Sequence, residues 1–335
     1  MYDKIYGGLL GAAAGDAMGA ATETRTRKQV EELFGGYVTD FYAPPMDTFA
    51  RGNKAGQVTD DFSVAYMTLK EVVAQGKLDD EVAKTALFKW ADTPEFFDRF
   101  AGPTTRASIA AMRGETPAAN VFVPVNENRR ATNGAAMKTA PIALLSVVDV
   151  EKANADCITV CKLTHNNNIA LSGAAAIAAA TATAMQKDAT LFDVIQASIY
   201  GAHKGDEIGR EIGDTLAGAS VEARIKWAVN IAMQAEDLSH AIDDLSDYIG
   251  SGLMTVEAVP AAIGLCVAAK GNTVEGICAG VNIGDDTDTV TTMIGGILGA
   301  LNGVASIPQH YIDVLDEANG FHLDRLAQEM VNLIK

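Results

Sequence analysis

Glycine recurs every fourth residue in two stretches of this 335-residue chain: Gly7, Gly11, Gly15 and Gly19 near one end, and Gly295, Gly299 and Gly303 near the other. In an α-helix that spacing places the glycines of each stretch on one face. A glycine inside a helix costs about 0.8–1 kcal/mol relative to alanine, so a repeated stripe requires a compensating gain. A face without side chains provides it by letting another backbone come close. The stripes therefore predict tightly packed core helices. In the sharper form, the two glycine-faced helices lie together at the centre and carry their neighbouring polar motifs with them.

The rest of the chain agrees with a helical reading. It holds 31 glycines but only 9 prolines, against averages of about 7% and about 5%. Apolar periodicity predicts helices from near Asp61 to Gly76 and over 81–90, 106–113, 135–148, 154–163, 168–186, 191–201, 223–235, 238–246, 255–269, 273–282, 289–299 and 312–334. Only 37–42 and 121–125 read as extended. Regularly spaced strands are missing, which disfavours a βαβ architecture. The expected fold is all-α, a compact multi-helix bundle, with residues 1–335 as a single domain. Segments 43–56 and 115–133 are polar, rich in Pro, Gly and Asn, and read as long loops of the kind that carry function. The charged stretch 201–250 reads as a lid, an interface or scaffold.

Charge excludes some partners. Lys and Arg number 26 against 43 Asp and Glu, a net charge of −17, which repels phosphate backbones and anionic lipid, so no nucleic acid and no membrane is expected as a partner. The uncharged stretches 169–185 and 289–310 are too rich in small residues, or too broken by glycine and proline, for a spanning helix. The apolar run 6–14 resembles a signal peptide only until Asp16. Four cysteines are too few for a disulfide scaffold in a chain of this length. The expected location is cytoplasmic.

The chemistry lies in two acidic clusters. Thr59-Asp60-Asp61 precedes an apolar run, and Asp286-Thr287-Asp288-Thr289 precedes the second glycine stripe. Capping of a helix N-terminus explains either cluster alone. Both stand before helices apolar enough to be buried, so both termini are expected in a depression of the core. If they meet, four carboxylates face one another, and each like-charged pair at 4 Å costs on the order of 4 kcal/mol at an effective dielectric near 20. Such a cluster must protonate or bind cations. Carboxylate and hydroxyl oxygens are hard ligands suited to Mg²⁺, Mn²⁺ or Ca²⁺. Cys161 and His165 share i,i+4 spacing, but no second pair completes a zinc site.

At these residues the sequence resembles the ADP-ribosylglycohydrolase family. GGLLGAAAGDAMGAATE (7–23) resembles its N-terminal helix and the acidic loop that follows. VTDDFS (58–63) resembles its T-D-D motif, and IGDDTDTVTTMIGGILGA (283–300) its signature G-G-D-T-D-T with the glycine-rich helix. Segments 102–114, 132–144, 164–170 and 250–263 match further family segments in order. The resemblance implies an all-α fold with a central cleft for two Mg²⁺ or Mn²⁺ ions. It implies Glu23, Thr59, Asp60, Asp61, Asp286, Asp288 and Thr289 as metal ligands. It further implies Asn133 and Gly134 beside the ribose or phosphate, and His165 near the far end of the ligand. The chain departs from the pattern at Phe62, where the family commonly has Thr or Ser, and at Asp285, where it has glycine.

The implied reaction is hydrolysis of a glycosidic bond at ribose C1, with Asp60, Asp61 and Glu23 as candidates for the catalytic acid or base. ADP-ribosylated protein, of the ADP-ribosyl-arginine type, is the expected substrate. A small ribosyl compound cleaved by a nucleosidase on the same fold is the first alternative, and a non-catalytic ADP-ribose-binding relative the second. Arg129 and Arg130 are either phosphate ligands or a solvated basic pair.

Overall fold

The computed structural model describes residues 1–115 and 127–335. In chain order the helices are α1 (Tyr2–Gly19), α2 (Arg27–Phe34), α3 (Asp60–Gln75), α4 (Asp80–Ala91), α5 (Pro94–Phe100), α6 (Pro103–Met112), α7 (Thr139–Ala143), α8 (Val150–Cys161) and α9 (Asn168–Ala184). There follow α10 (Leu191–Ile212), α11 (Val221–Gln234), α12 (Leu238–Tyr248), α13 (Thr255–Ala268), α14 (Thr273–Val281), α15 (Thr287–Asn302), α16 (Gln309–Asn319) and α17 (Leu323–Ile334). Among the described residues β-pairing is limited to the isolated bridges Thr26–Gly284, Thr132–Met254 and Asn167–Asp214. The fold is all-α.

The most extensive helix pairing is α1 against α15, and the glycine stripes cause it. A Cβ on Gly7 would stand 2.4 Å from the Gly299 carbonyl oxygen, one on Gly11 2.1 Å from that of Gly295, and one on Gly15 2.2 Å from that of Thr291. On Gly19 it would meet the Asp288 Cα at 2.4 Å. The helices run antiparallel with backbones in contact. The C-terminus of α1 is thereby fixed against the N-terminus of α15.

A second stripe, Gly201, Gly205 and Gly209 of α10, lies in the same way on α9, each within 2.5 Å of Ala175, Leu171 or Asn168 backbone atoms if given a Cβ. It went unread because the surrounding residues are charged. Part of the 201–250 stretch is therefore scaffold packed on α9, while α11 and α12 pack on α13. Every residue of α9 is buried, and α9 contacts both α15 and α13, which puts these helices at the centre.

Several boundaries differ from expectation, each for a local reason. The helix expected over 312–334 is two, because Gly320 adopts a left-handed conformation (φ +63°) that ends α16. The helix expected over 135–148 is a 3₁₀ turn, Ala136–Lys138, leading into the five-residue α7, whose Pro141 has no N–H to donate. α2 and α5 were not expected. Segment 37–42 pairs in no strand among the described residues, and 121–125 lies outside them. Segment 43–56 is a loop without regular structure, and the described part of 115–133 includes the 3₁₀ turn Asn128–Arg130. No helix among the described residues is long and apolar enough to cross a membrane.

Substitution separates stripe glycines from ordinary ones. Gly11→Ala forces the α1 and α15 backbones apart and should destabilise the protein by about 3 kcal/mol or more, the upper end of overpacking costs. Gly102→Ala, whose Cβ meets nothing within 4 Å, should leave the melting temperature within about a degree. Equal melting temperatures for the two variants by scanning calorimetry would contradict the backbone-contact account.

Candidate metal centre and substrate cavity

α1 builds the site twice. Its C-terminus runs into the turn bearing Glu23, whose N–H donates to the Gly19 carbonyl (3.1 Å). The contact of Gly19 with Asp288 places that turn beside the start of α15. One ligand oxygen from each of Glu23, Asp286 and Asp288 lies within 4.8 Å of the others, and all three side chains are buried. The neighbouring backbone pairs: Thr24 N–H donates to the Asp285 carbonyl (2.7 Å) and Asp285 N–H to that of Arg25 (2.8 Å).

α1 also holds the second acidic cluster, through Asp16. This fully buried carboxylate accepts from Thr59 N–H (3.0 Å), the Thr59 hydroxyl (2.8 Å) and Phe62 N–H (2.9 Å). Thr59 is the N-cap of α3, and Phe62 is at the third helical position. Asp16 thus takes the capping bond from outside the helix and complements its dipole. Asp60 and Asp61 are then presented in the first turn of α3. The sequence reading missed Asp16. The available signal was a lone carboxylate in a helix otherwise free of charge from Ile5 to Thr22.

Asn133, buried, donates its Nδ2 to Asp286 Oδ2 (2.5 Å). His165, also buried, contacts the Thr132 hydroxyl through Nε2 (2.9 Å) and the Thr164 hydroxyl through Nδ1 (2.8 Å). Its ring lies over Gly134, where a Cβ would meet it at 2.8 Å. Cys161 donates to the Ala135 carbonyl, so Cys161 and His165 are both engaged elsewhere and form no zinc pair. Arg129 is paired with Glu127 and Arg130 with Asp214. Phe62 turns into the core and stacks near Phe321 at 6.2 Å. Asp285 is exposed and lines a separate surface groove with Arg27 and Asp247.

The clusters open on a cavity of about 330 Å³. Its acidic end carries Glu23, Asp60, Asp61, Asp286, Asp288 and Thr289, and its wall Asn133, Gly134 and His165. Thr59, hydrogen-bonded to Asp16, lies behind this lining. The mouth, which the sequence reading did not single out, is formed by Phe49, Phe100, Leu253 and the start of α6. Phe49 and Leu253 are more than half exposed. Arg99 ties the mouth together: it donates to the Arg51 carbonyl (2.6 Å) and packs on the Phe100 ring.

Burial shifts the titration of this end strongly. Desolvation raises the Asp16 carboxyl to about 6, Asp60 to about 7 and Glu23 to about 8, with neighbouring carboxylates adding to the rise at Asp60 and Glu23. Asp61, Asp286 and Asp288 are raised for the same main reason. His165 is pushed down to about 3 by burial, and Lys138 adds to the shift, so it is neutral. Asp61 Oδ1 is buried without a hydrogen-bond partner. A buried carboxylate oxygen left open amid other carboxylates fits a hard cation as its missing partner.

The sequence profile of the ADP-ribosylglycohydrolase family matches residues 1–335. The chain belongs to this family. It is 32% identical over 332 residues to the uncharacterized protein YegU of Escherichia coli K12, covering 97% of this chain and 95% of that one. It is 27% identical to the ADP-ribosylarginine hydrolase Tri1 of Pseudomonas putida GB-1, over 98% of this chain and 78% of Tri1. It is 24% identical to the ADP-ribosyl-[dinitrogen reductase] glycohydrolase of Rhodospirillum rubrum, over 94% and 91% of the two chains. A solved structure titled ADP-ribosylglycohydrolase-related protein complex shares the fold, with a TM-score of 0.68 at 20% identity over 100% of this chain and 99% of that one. Membership of the family makes the chain a hydrolase, and the family's dependence on metal agrees with an acidic cavity end whose Glu23, Asp286 and Asp288 could hold an ion.

A pH prediction follows from the raised carboxyls. Their pKa values in the folded, metal-free chain lie above the unfolded values near 4. The folded state then holds protons that the unfolded chain has released. Their contribution to stability is complete below about pH 4 and declines as pH rises to about 8. In EDTA the melting temperature should fall over that window, and millimolar Mg²⁺ or Mn²⁺ should flatten the fall. A metal-free melting temperature that climbs from pH 5 to 8 would contradict the assignment.

Proposed function

We propose that this protein removes ADP-ribose from modified side chains, with ADP-ribosylarginine as the substrate type, by hydrolysing the bond at ribose C1. All of residues 1–335 act as one all-α domain. The observation that carries the reading is the unpartnered Asp61 oxygen where two helix N-termini and Glu23 converge on a cavity. The name of Tri1 supports ADP-ribosylarginine, and that of the dinitrogen reductase enzyme an ADP-ribosylated protein, as the substrate type.

The residues that would hold two Mg²⁺ or Mn²⁺ ions are Glu23, Thr59, Asp60, Asp61, Asp286, Asp288 and Thr289. Bound there, such ions supply Lewis-acid polarisation of ribose hydroxyls and of water. Asp60, Asp61 and Glu23 face the cavity and are the groups to accept the proton of the attacking water. Departure of the leaving nitrogen builds positive charge at C1, which the surrounding carboxylates stabilise. The water oxygen ends on C1, and a proton ends on the released guanidine. Asn133 orients Asp286, and with Gly134 it flanks the ribose. Neutral His165, with both ring nitrogens held by the Thr132 and Thr164 hydroxyls, offers an uncharged wall.

A smaller ribosyl substrate is the second reading, and one observation favours it. The cavity is at the lower end of the roughly 300–1,000 Å³ typical of ligand pockets. Arg99 is the one charged basic side chain among its described lining residues, and its Nη2 donates to the Arg51 carbonyl. No other lining cation is offered to a diphosphate.

Turnover of ADP-ribosylarginine and of free nucleosides with Mg²⁺ separates the readings. The first expects arginine release abolished by EDTA and reduced on the order of 10²-fold or more in Asp60→Asn or Asp288→Asn, with melting temperatures retained. Cleavage of nucleosides alone selects the second reading. ADP-ribose binding without any turnover indicates a binder, and full activity of either variant removes the role given to that residue.

A further inference from the structure

Lys138 is the cation that the account above leaves unused. It closes the 3₁₀ turn that begins three residues after Asn133, and it is 2% exposed. The turn packs on α3, which carries Asp60 and Asp61, and on α15 and α9. Among the described residues no carboxylate lies within ion-pair distance of its ammonium, and no group there accepts a hydrogen bond from it. A charged side chain this buried, with no carboxylate partner, is unfavourable unless a surrounding negative field compensates it. That field is present. Asp16, Glu23, Asp60, Asp61, Asp286 and Asp288 lie together in the centre of the fold. Burial pushes the Lys138 ammonium pKa down, while Cys161, Asp60 and Asp61 act the other way and favour its charged form; Lys138 in turn draws the Asp60 carboxyl downward against the effect of burial.

We propose that the Lys138 ammonium is a built-in counter-charge of the carboxylate cluster and sets how tightly the cluster takes up divalent cations. Six ionised carboxylates exceed two divalent ions by two negative charges, and Lys138 offsets one of them. The ammonium cannot leave when metal enters, so it repels the incoming ions and holds their affinity down. A divalent centre that must also admit and release substrate hydroxyls benefits from a moderated affinity. Lys138 reaches no cavity-lining position. It is a positioning residue that acts through the charge on Asp60 and Asp61. The inference rests on the metal-centre reading.

The test is Mn²⁺ affinity, measured by calorimetry and by electron paramagnetic resonance of free Mn²⁺. It uses the full chain and the variants Lys138→Met and Lys138→Arg. Methionine keeps an unbranched apolar stem without the charge, and arginine keeps the charge. Lys138→Met should bind Mn²⁺ on the order of tenfold more tightly than the wild type. Its melting temperature should rise more than the wild type's on going from EDTA to saturating Mn²⁺. Lys138→Arg should restore wild-type affinity. If Lys138→Met does not fold, Lys138→Gln is titrated in its place with the same expectation. Wild-type affinity in the neutral variant, or equal loss of melting temperature with and without metal, would overturn the proposal and leave Lys138 a packing residue. No Mn²⁺ binding by the wild type is a separate failure, which removes the metal centre and this inference with it.

Discussion

The contact on which the site depends is backbone against backbone, α1 on α15. Four successive turns of α1 present Gly7, Gly11, Gly15 and Gly19 to a facing helix with no room for a methyl group. The contact fixes the register of the two helices, and register decides what stands at their ends. With Gly19 against Asp288, the turn carrying Glu23 can only lie beside the first turn of α15. Asp16, one turn back, reaches the N-terminus of α3 and sets Asp60 and Asp61 into the same space. One helix thus gathers three acidic segments, the first two of which lie more than 200 residues of chain from the third.

Gathering them creates an electrostatic problem that bound protons or cations must relieve. Two helix dipoles and the Asn133 amide favour negative charge at the site, but burial and mutual repulsion oppose it, and the carboxyls are raised as a result. The open oxygen of Asp61 marks where a partner is missing. Hard divalent cations answer both the charge and the open ligand position. The apolar mouth of the cavity, with Phe49 and Leu253 exposed, gives the charged end a second, different surface on which a leaving group can rest.

Much of this was legible in the sequence. Period-four glycine encodes close helix contact directly, because no other residue type tolerates it. The acidic clusters announced themselves by standing before runs too apolar to be exposed. What escaped were features whose meaning depends on a partner remote in the chain. Asp16 reads as an interruption of an apolar helix until Thr59 and Phe62 are seen to donate to it. Lys138 reads as an ordinary helical lysine until its turn is seen to be buried. The Gly201, Gly205 and Gly209 stripe was masked by Lys204, Asp206 and Arg210, the charged residues next to it in sequence. Helix limits failed where single residues decide them, at Gly320 and around Pro141.

Anomalous diffraction from crystals grown with Mn²⁺ tests the central claim most directly, since it locates the metal without relying on turnover. The account predicts anomalous density between the first turns of α3 and α15, in contact with Asp61 Oδ1 and with carboxylates of the Glu23, Asp286 and Asp288 group. An acidic centre that stays free of anomalous density at saturating Mn²⁺, with its carboxylates hydrogen-bonded to one another, would contradict it.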